Sequence, residues 1–367
     1  MYQSHTMASL AQTIGEQRPR KVDHLLDQRL LTMTDDLQMM IGDHPDQGGH
    51  RLSITPHAHT QLSDKLGVPM RYYRRMMQDA PQLLRQNVNH WLQSASTTRL
   101  VRTLDHSPDT QQSTTGLMRA LLSDRYRVLD NYWFADAILQ ATMGDMSSCD
   151  VCSCDVNMDR MLIKITSHEL EGEVRVGEVV RGGIIAGNGE TGGNTSFVQA
   201  FFETLQCTNG MVYNTEFAGL RRVHLGPVLQ LEGHARQLVS DDTLSQSDAA
   251  FFSAVRDVAR NVFDRKAFDR AIASFREAQD RTIDGDIPEA VRTFAQRHGL
   301  GERESSSVLD HLIRDGNLTQ WGLASAVTRA AQDSDSYDRA TELEGLGGAV
   351  IDLTPAEWRL VAQAEAQ

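Results

Sequence analysis

Residues 172–213, GEVRVGEVVRGGIIAGNGETGGNTSFVQAFFETLQCTNGMVY, constrain the fold more than any other stretch of this chain. They hold nine of its 27 glycines. Valine and isoleucine fill Glu173 to Ala186, the composition of a strand. Gly187-Asn188-Gly189-Glu190-Thr191-Gly192 then supplies residues that favour a turn. Ser196 to Cys207 has two readings. Phe197, Val198, Phe201, Phe202 and Leu205 fit a helical stripe. The glycines before them and Asn209-Gly210 after them favour a strand buried on both faces, which is the expectation here. Two extended runs joined by a glycine-rich turn imply a hairpin at the centre of the chain.

The turn also spells G-x-G-x-x-G. A dinucleotide site needs those glycines to end a strand and open a helix whose N-terminus holds a pyrophosphate. No βαβ repeat surrounds them. The kinase version is strand–loop–strand, but no V-A-I-K lysine, H-R-D or D-F-G accompanies it. A tight hairpin turn is the expected role.

Before the hairpin, residues 1–50 read as a helix or two followed by a loop. Thr55-Pro56 opens a helix over 57–66, since threonine caps well and proline suits the first helical position. Gly67 ends it. Val68-Pro69 opens a second helix from Met70 to about Met77, and a third follows Pro81. Residues 97–101 read as extended, 105–116 as a loop and 117–131 as a strand. Asn131 is expected to cap a helix carrying Phe134, Ile138 and Leu139. The stretch 147–166 ends in a strand with Met161, Ile163 and Ile165 on one face. Residues 241–281 lack glycine and proline and read as one long helix or two. Further helices are expected at 288–298, 304–315, 319–332 and 355–364. Strands in the middle with helices clustered after them indicate an α+β fold: a central, mostly antiparallel sheet with a long packing helix, flanked by helical N- and C-terminal regions. The expected divisions are 1–98 (helical, with a helix-turn-helix-like hairpin), 99–236 (β-rich) and 237–367 (helical).

With 367 residues the chain can bury a large core, and its hydrophobic content of 40% is that of a globular protein. No apolar run approaches the length of a membrane span, and the first residues lack a signal-peptide pattern. A cytoplasmic protein with no membrane contact is expected. The cysteines, Cys149, Cys152, Cys154 and Cys207, are then expected as free thiols. Net charge is −13, distributed as +1, −5 and −9 over the three divisions. Such an acidic total disfavours broad non-specific nucleic-acid binding, while leaving room for a local basic groove. Of 36 basic residues only Lys21, Lys65, Lys164 and Lys266 are lysines. Coding bias explains this; arginine's bidentate contacts to phosphate are the functional alternative.

Several groups of residues are candidates for chemistry. Cys149, Cys152 and Cys154 form C-x-x-C-x-C, but zinc would need a fourth ligand such as His168 or Cys207. His57 and His59 lie on different sides of one helix and read as solvated residues. A nucleophilic Cys207 would need a base that the sequence does not place, so burial is its better reading. No metal and no cofactor is expected. TQLSDKLGVPMRYYRRMM resembles a helix-turn-helix, whose second helix carries Arg71, Arg74 and Arg75 as possible DNA contacts. The alternative is a helical pair packed on the core with solvated arginines. The centre carries Arg119, Arg125, Arg127, Lys164, Arg175, Arg181, Arg221 and Arg222, with Tyr126, Tyr132 and Tyr213 among them. Cations with aromatics can track a single strand and stack its bases. Acidic neighbours favour a solvated face of mixed charge instead.

LGVPMRYYRRM, NVNHWL, LLSDRYRVLDN, NGETGG, CTNGMVY and WGLASAVTRAAQDSDSYDRATELEGLGG together resemble the phage- and plasmid-encoded family labelled "domain of unknown function 932". The resemblance runs from about Leu52 to about Leu360. It implies a phage, prophage or plasmid setting and brings no catalytic residue with it.

Three functions remain open. The first is single-stranded DNA binding that assists annealing or recombination, by a homo-oligomer. Arg125, Arg127, Lys164, Arg181, Arg221 and Arg222 would line the groove, and Tyr126 or Tyr213 would stack. The outline of ring-forming annealing proteins is an analogy for this reading alone. The second is an acidic interaction or inhibitor module acting on a basic host protein. The third is a metal-dependent hydrolase using Asp124, Asp130, Asp155 or Glu190, which no spacing selects.

Overall fold

The computed structural model describes residues 6–42, 50–105, 116–143, 149–205, 209–213, 219–222 and 241–365. The fold is α+β, with two six-stranded, mostly antiparallel sheets and helices gathered around them. The first sheet joins β1 (Lys21–Asp27), β2 (Leu31–Met33), β3 (Met39–Ile41), β4 (His50–Ile54), β5 (Thr98–Leu104) and β6 (Gly116–Ser123). Their order is β1-β5-β6-β4-β3-β2, with β4 and β6 parallel. On it lie α2 (Pro56–Lys65), α3 (Met70–Asp79) and α4 (Pro81–Ser94). Leu62, Tyr73, Met76, Leu84, Val88 and Leu92 of these helices share a buried core with Leu31, Leu52, Val101, Met118 and Leu121.

The three helices start where local chemistry places them. Thr55 Oγ1 accepts from the Ala58 N–H at 3.2 Å, with Pro56 in the first turn. The helical region expected over 1–98 needs correcting. It contains β1 to β4, and their sheet is completed by β5 and β6 from beyond that boundary. β1 is an edge strand with no fully buried residue, so it lacks the clean apolar alternation that marks a strand in sequence. Residues 106–115, within the expected loop, lie outside the described residues.

The second sheet contains β7 (Cys149–Val156), β8 (Met161–Arg175), β9 (Glu178–Asn188), β10 (Ser196–Thr204), β11 (Asn209–Val212) and β12 (Gly219–Arg222). The order is β11-β10-β9-β8-β7, and β12 pairs with the first half of β10. The ambiguous stretch after the glycine turn is therefore a strand, β10. The run from Glu173 to Ala186 is two strands, broken by a turn at Val176-Gly177 between β8 and β9.

One face of this sheet carries Met161, Ile163, Ile165, Ile184, Val198 and Phe202 into the larger core. There it meets α5 (Asn131–Met143), α6 (Asp241–Val262) and α7 (Arg265–Gln279). α5 is capped by Asp130, whose Oδ1 accepts from the Tyr132 N–H at 2.8 Å; Asn131 is already inside the helix. α1 (Met7–Gln17) docks beside β7. α8 (Ile287–His298), α9 (Glu302–Asp315), α10 (Gln320–Ala330) and α12 (Pro355–Ala362) extend the helical layer, as the sequence leads one to expect.

α11 (Tyr337–Ile351) is absent from that expectation. Its TELEGLGG segment is poor helix sequence, because glycine costs about 1 kcal/mol in a helix interior. Contact explains the choice. A Cβ on Gly348 would overlap the Val212 carbonyl, and one on Gly347 would overlap Thr328 of α10. The glycines let α11 lie against β11 and α10, and so cover the second face of the sheet.

Candidate functional site

The G-x-G-x-x-G segment ends β9 with Gly187-Asn188 and runs into the loop of the β9–β10 hairpin, as the sequence implies. Its tip is charged and lies inside the protein. Glu190 is 1% exposed and meets one cation from each of three strands of the first sheet. Lys21 of β1 donates to its Oε2 at 2.8 Å and to Asp130 at 3.1 Å. Arg119 of β6 donates to Oε1, and Arg102 of β5 donates to the Glu190 carbonyl and to Asp23. The Asn131 N–H adds a bond to Oε2 at 3.0 Å. Burial raises the carboxyl's proton affinity, but Arg119, Lys21 and Arg102 outweigh it and hold the pKa below the usual range. The adjacent Thr191 carbonyl accepts from Gln61 of α2 at 2.8 Å, and the Tyr126 hydroxyl donates to the Gly189 carbonyl at 2.8 Å. Every Glu190 oxygen is occupied. The arrangement joins two sheets and buries the carboxylate among its cations.

Most of the described residues expected to line a groove on the central sheet are buried or paired. Lys164 is 2% exposed, bonded to both oxygens of Glu344 on α11 at 2.6 and 2.8 Å, and lies over the Tyr337 ring. Arg181 is bound to Glu171 at 2.7 Å, and Arg127 to Asp248 of α6 at 2.6 Å. Tyr126 is buried beneath the glycine loop, and burial raises its pKa. Tyr213 packs in the opposite core against Phe202 and Phe275. Arg125 is exposed, in the turn after β6. Arg221 and Arg222 belong to β12, and their side chains lie outside the described residues. The physical reason for the correction is α11, which covers the face carrying Lys164 and supplies its counter-ion.

α3 is different. Tyr73 and Met76 are buried, while Arg71, Arg74 and Arg75 are exposed and Tyr72 is 47% exposed. Arg75 lies 3.8 Å from Asp79 in solvent. Among the described residues no carboxylate pairs with Arg71 or Arg74. α2 and α3 are thus two helices joined by a short turn, and α3 has a cationic outer face.

Beside α2 lies a cleft of about 310 Å³, lined by Gln61, Asp64, Lys65, Leu121, Leu122, Ser123, Tyr126 and the loop Gly192 to Thr195. Gly192 has φ 85°, and a Cβ there would overlap Leu122. A Cβ on Gly193 would press on the His57 ring. Two consecutive glycines therefore let the loop form the cleft wall.

The remaining candidates separate. His57 Nε2 meets the Thr191 carbonyl at 3.0 Å and His59 Nδ1 meets the Tyr73 hydroxyl at 2.8 Å, so both are engaged and neither is a solvated helix residue. Burial pushes His59 down to about 4. Cys152 contacts Thr166, and burial pushes its thiol up to about 12, a poor nucleophile and ligand. Cys207 lies outside the described residues. Asp130 and Glu190 share Lys21, while Asp155 lies in β7 and Asp124 in the turn after β6. Among the described residues no group of three or more His, Cys, Asp or Glu is placed to hold a metal ion. No helix among them is long and apolar enough to cross a membrane. The Glu190 junction was missed in sequence because Lys21, Arg102, Arg119 and Glu190 are far apart along the chain. No family model, no curated protein and no solved structure matches this chain, so the resemblance drawn above rests on its quoted motifs.

Proposed function

We propose that this protein binds single-stranded nucleic acid through α3 and assists annealing or recombination for a phage or plasmid. One observation carries the reading. Arg71 and Arg74 are exposed, unpaired among the described residues, and one turn apart on the outer side of α3, which also exposes Tyr72 next to Arg71 in the chain. Cations beside an exposed ring suit a phosphate backbone with a stacked base. Of the cations favoured by sequence, Lys164, Arg181 and Arg127 are spent on Glu344, Glu171 and Asp248. The motif resemblance supports the mobile-element setting. Fluorescence anisotropy with a labelled single-stranded oligonucleotide at low salt tests the reading. Arg71→Ala/Arg74→Ala should weaken binding and reduce the slope of log K against log salt by about 1.4, at ~0.7 per phosphate contact. An unchanged slope would remove α3 from the interface. Mass photometry with and without the oligonucleotide tests homo-oligomer formation.

A second reading is an acidic module that engages a basic host protein. Its support is the −9 charge of residues 237–367, where Arg281, Arg292, Arg329 and Arg339 are taken up in local ion pairs. Host proteins recovered only through nucleic acid, and lost after nuclease treatment, would count against it.

A further inference from the structure

The geometry points to the cleft between α2 and the glycine loop as a pocket for one unpaired nucleobase. The inference rests on the nucleic-acid reading and deepens it, because it assigns a second contact surface with its own chemistry. The wall combines apolar and polar groups. Leu121, Leu122 and Tyr126 supply the apolar part. Asp64, Lys65, Ser123, Asn194 and Thr195 supply polar side chains, and none of these has a hydrogen-bond or ion-pair partner among the described residues. Asp64, Lys65 and Asn194 are exposed, so these groups face solvent and are open to a ligand. Unspent hydrogen-bonding groups around a concave, partly apolar wall are what a small planar ligand with polar edges requires. The volume, about 310 Å³, is at the lower end of the range for small-molecule pockets and suits one base with part of its sugar.

The surroundings select a base on a strand over a free metabolite. Lys65 is exposed at the end of α2, and Arg125 is exposed between the lining residues Ser123 and Tyr126. Lys65 lines the cleft and Arg125 stands in the turn at its rim, where the phosphates that flank a base would pass. From Lys65 the chain passes through Gly67 into α3, so the cleft adjoins the helix that carries Arg71 and Arg74. A strand crossing α3 can therefore deliver a nucleotide to the cleft. Asp64 adds selectivity. Its carboxylate only accepts hydrogen bonds. It suits the exocyclic amino group of cytosine, adenine or guanine and opposes the carbonyl-flanked edge of thymine.

The test is anisotropy of the full chain with three oligonucleotides of equal length: oligo-dC, oligo-dT and a wholly abasic strand. Expected for the wild type is oligo-dC binding tighter than the abasic strand by about tenfold or more, the scale of one well-seated base. Asn194→Trp fills the cleft from an exposed position and should lower that ratio to the part that stacking on Tyr72 supplies, which Tyr72→Ala in the same background should then remove. Asp64→Asn should erase the preference for oligo-dC over oligo-dT and retain the preference over the abasic strand. Arg71→Ala/Arg74→Ala should weaken all three strands alike. If all strands bind wild type and Asn194→Trp with the same ratios, the cleft assignment is overturned while the α3 reading stands. If the wild type binds none of the strands, both fall.

Discussion

Glu190→Gln is the sharpest perturbation available in this fold. The amide has the shape of the carboxylate and none of its charge. In the native protein the cations Lys21, Arg102 and Arg119 are balanced by Asp23, Asp130 and Glu190. The substitution leaves one positive charge in excess where Arg119 is 1% exposed and its Nε and Nη1 have no partner among the described residues. Removing one member of a buried ion pair costs about 3–5 kcal/mol, because the other charge stays desolvated. Total stabilities run from about 5 to 15 kcal/mol, so this is a large share. Urea unfolding at neutral pH should show a loss of that size. Arg303→Ala provides the contrast: its pair with Asp335 is 3.7 Å long and almost fully exposed, so the loss should stay below about 1 kcal/mol.

Acid gives a second check with a definite sign. The folded carboxyl of Glu190 titrates below its ordinary 4.5. Its stabilisation is therefore complete above pH 4.5 and fades as pH falls below that value. The gap between wild type and Glu190→Gln should narrow over the same range. Arg119→Met/Glu190→Met removes both charges and leaves Lys21 with Asp130 and Arg102 with Asp23, so most of the lost stability should return. A single-variant loss under about 1 kcal/mol, or a double variant as unstable as the single one, would refute the desolvated-charge account.

Gly348→Ala should destabilise by about 1–3 kcal/mol through overlap with the Val212 carbonyl. Gly345→Ala on the same helix has open space and should stabilise by up to about 1 kcal/mol, both read from thermal melts. The His59 ring, pushed down to about 4 by burial, should titrate near that value by NMR. Its contribution to stability is complete above pH 6.5 and is lost as pH falls toward 4; a midpoint near 6.5 would contradict the burial. Cys152 and Cys154, pushed up to about 12 and about 11, should resist iodoacetamide at pH 8 in the folded protein and react after denaturation, as peptide mass spectrometry would report.

Local signals were legible and remote ones were not. Thr55-Pro56, Val68-Pro69 and Pro81 mark the starts of α2, α3 and α4, because caps and proline act within one turn. The glycine turn is legible as a hairpin loop for the same reason. α11 is not, since its glycines are selected by contact with Val212 and Thr328, far away in sequence. The expected groove loses Lys164 with it. Lys164 and Arg181 do share a sheet with aromatic neighbours, but only the tertiary fold reveals Glu344 above Lys164. The arginines of α3 were visible as candidates, and their exposure follows from Tyr73 and Met76 taking the buried side.

The position of Glu190 also explains why the cleft lies where it does. The first sheet and its helices have a core separate from the larger one around the second sheet. Apolar packing within each core is non-directional and does not by itself fix how the two sheets meet. The hairpin tip does, because Glu190 engages β1, β5 and β6 while Thr191 engages α2. Directional polar contacts specify one arrangement where burial alone would permit several. Two residues further on, Gly192 and Gly193 leave that anchor and form the cleft wall against Leu122 and His57. A pocket built between two sheets needs their relation held closely; Gln61 and Tyr126, which line it, bond Thr191 and Gly189, and the buried ion cluster at Glu190 stands between those two contacts. Thus the residues that make the glycine loop look like a cofactor signature in sequence have a divided task. Glu190 and Thr191 fix the joint, and Gly192 to Thr195 present the surface that the joint makes possible.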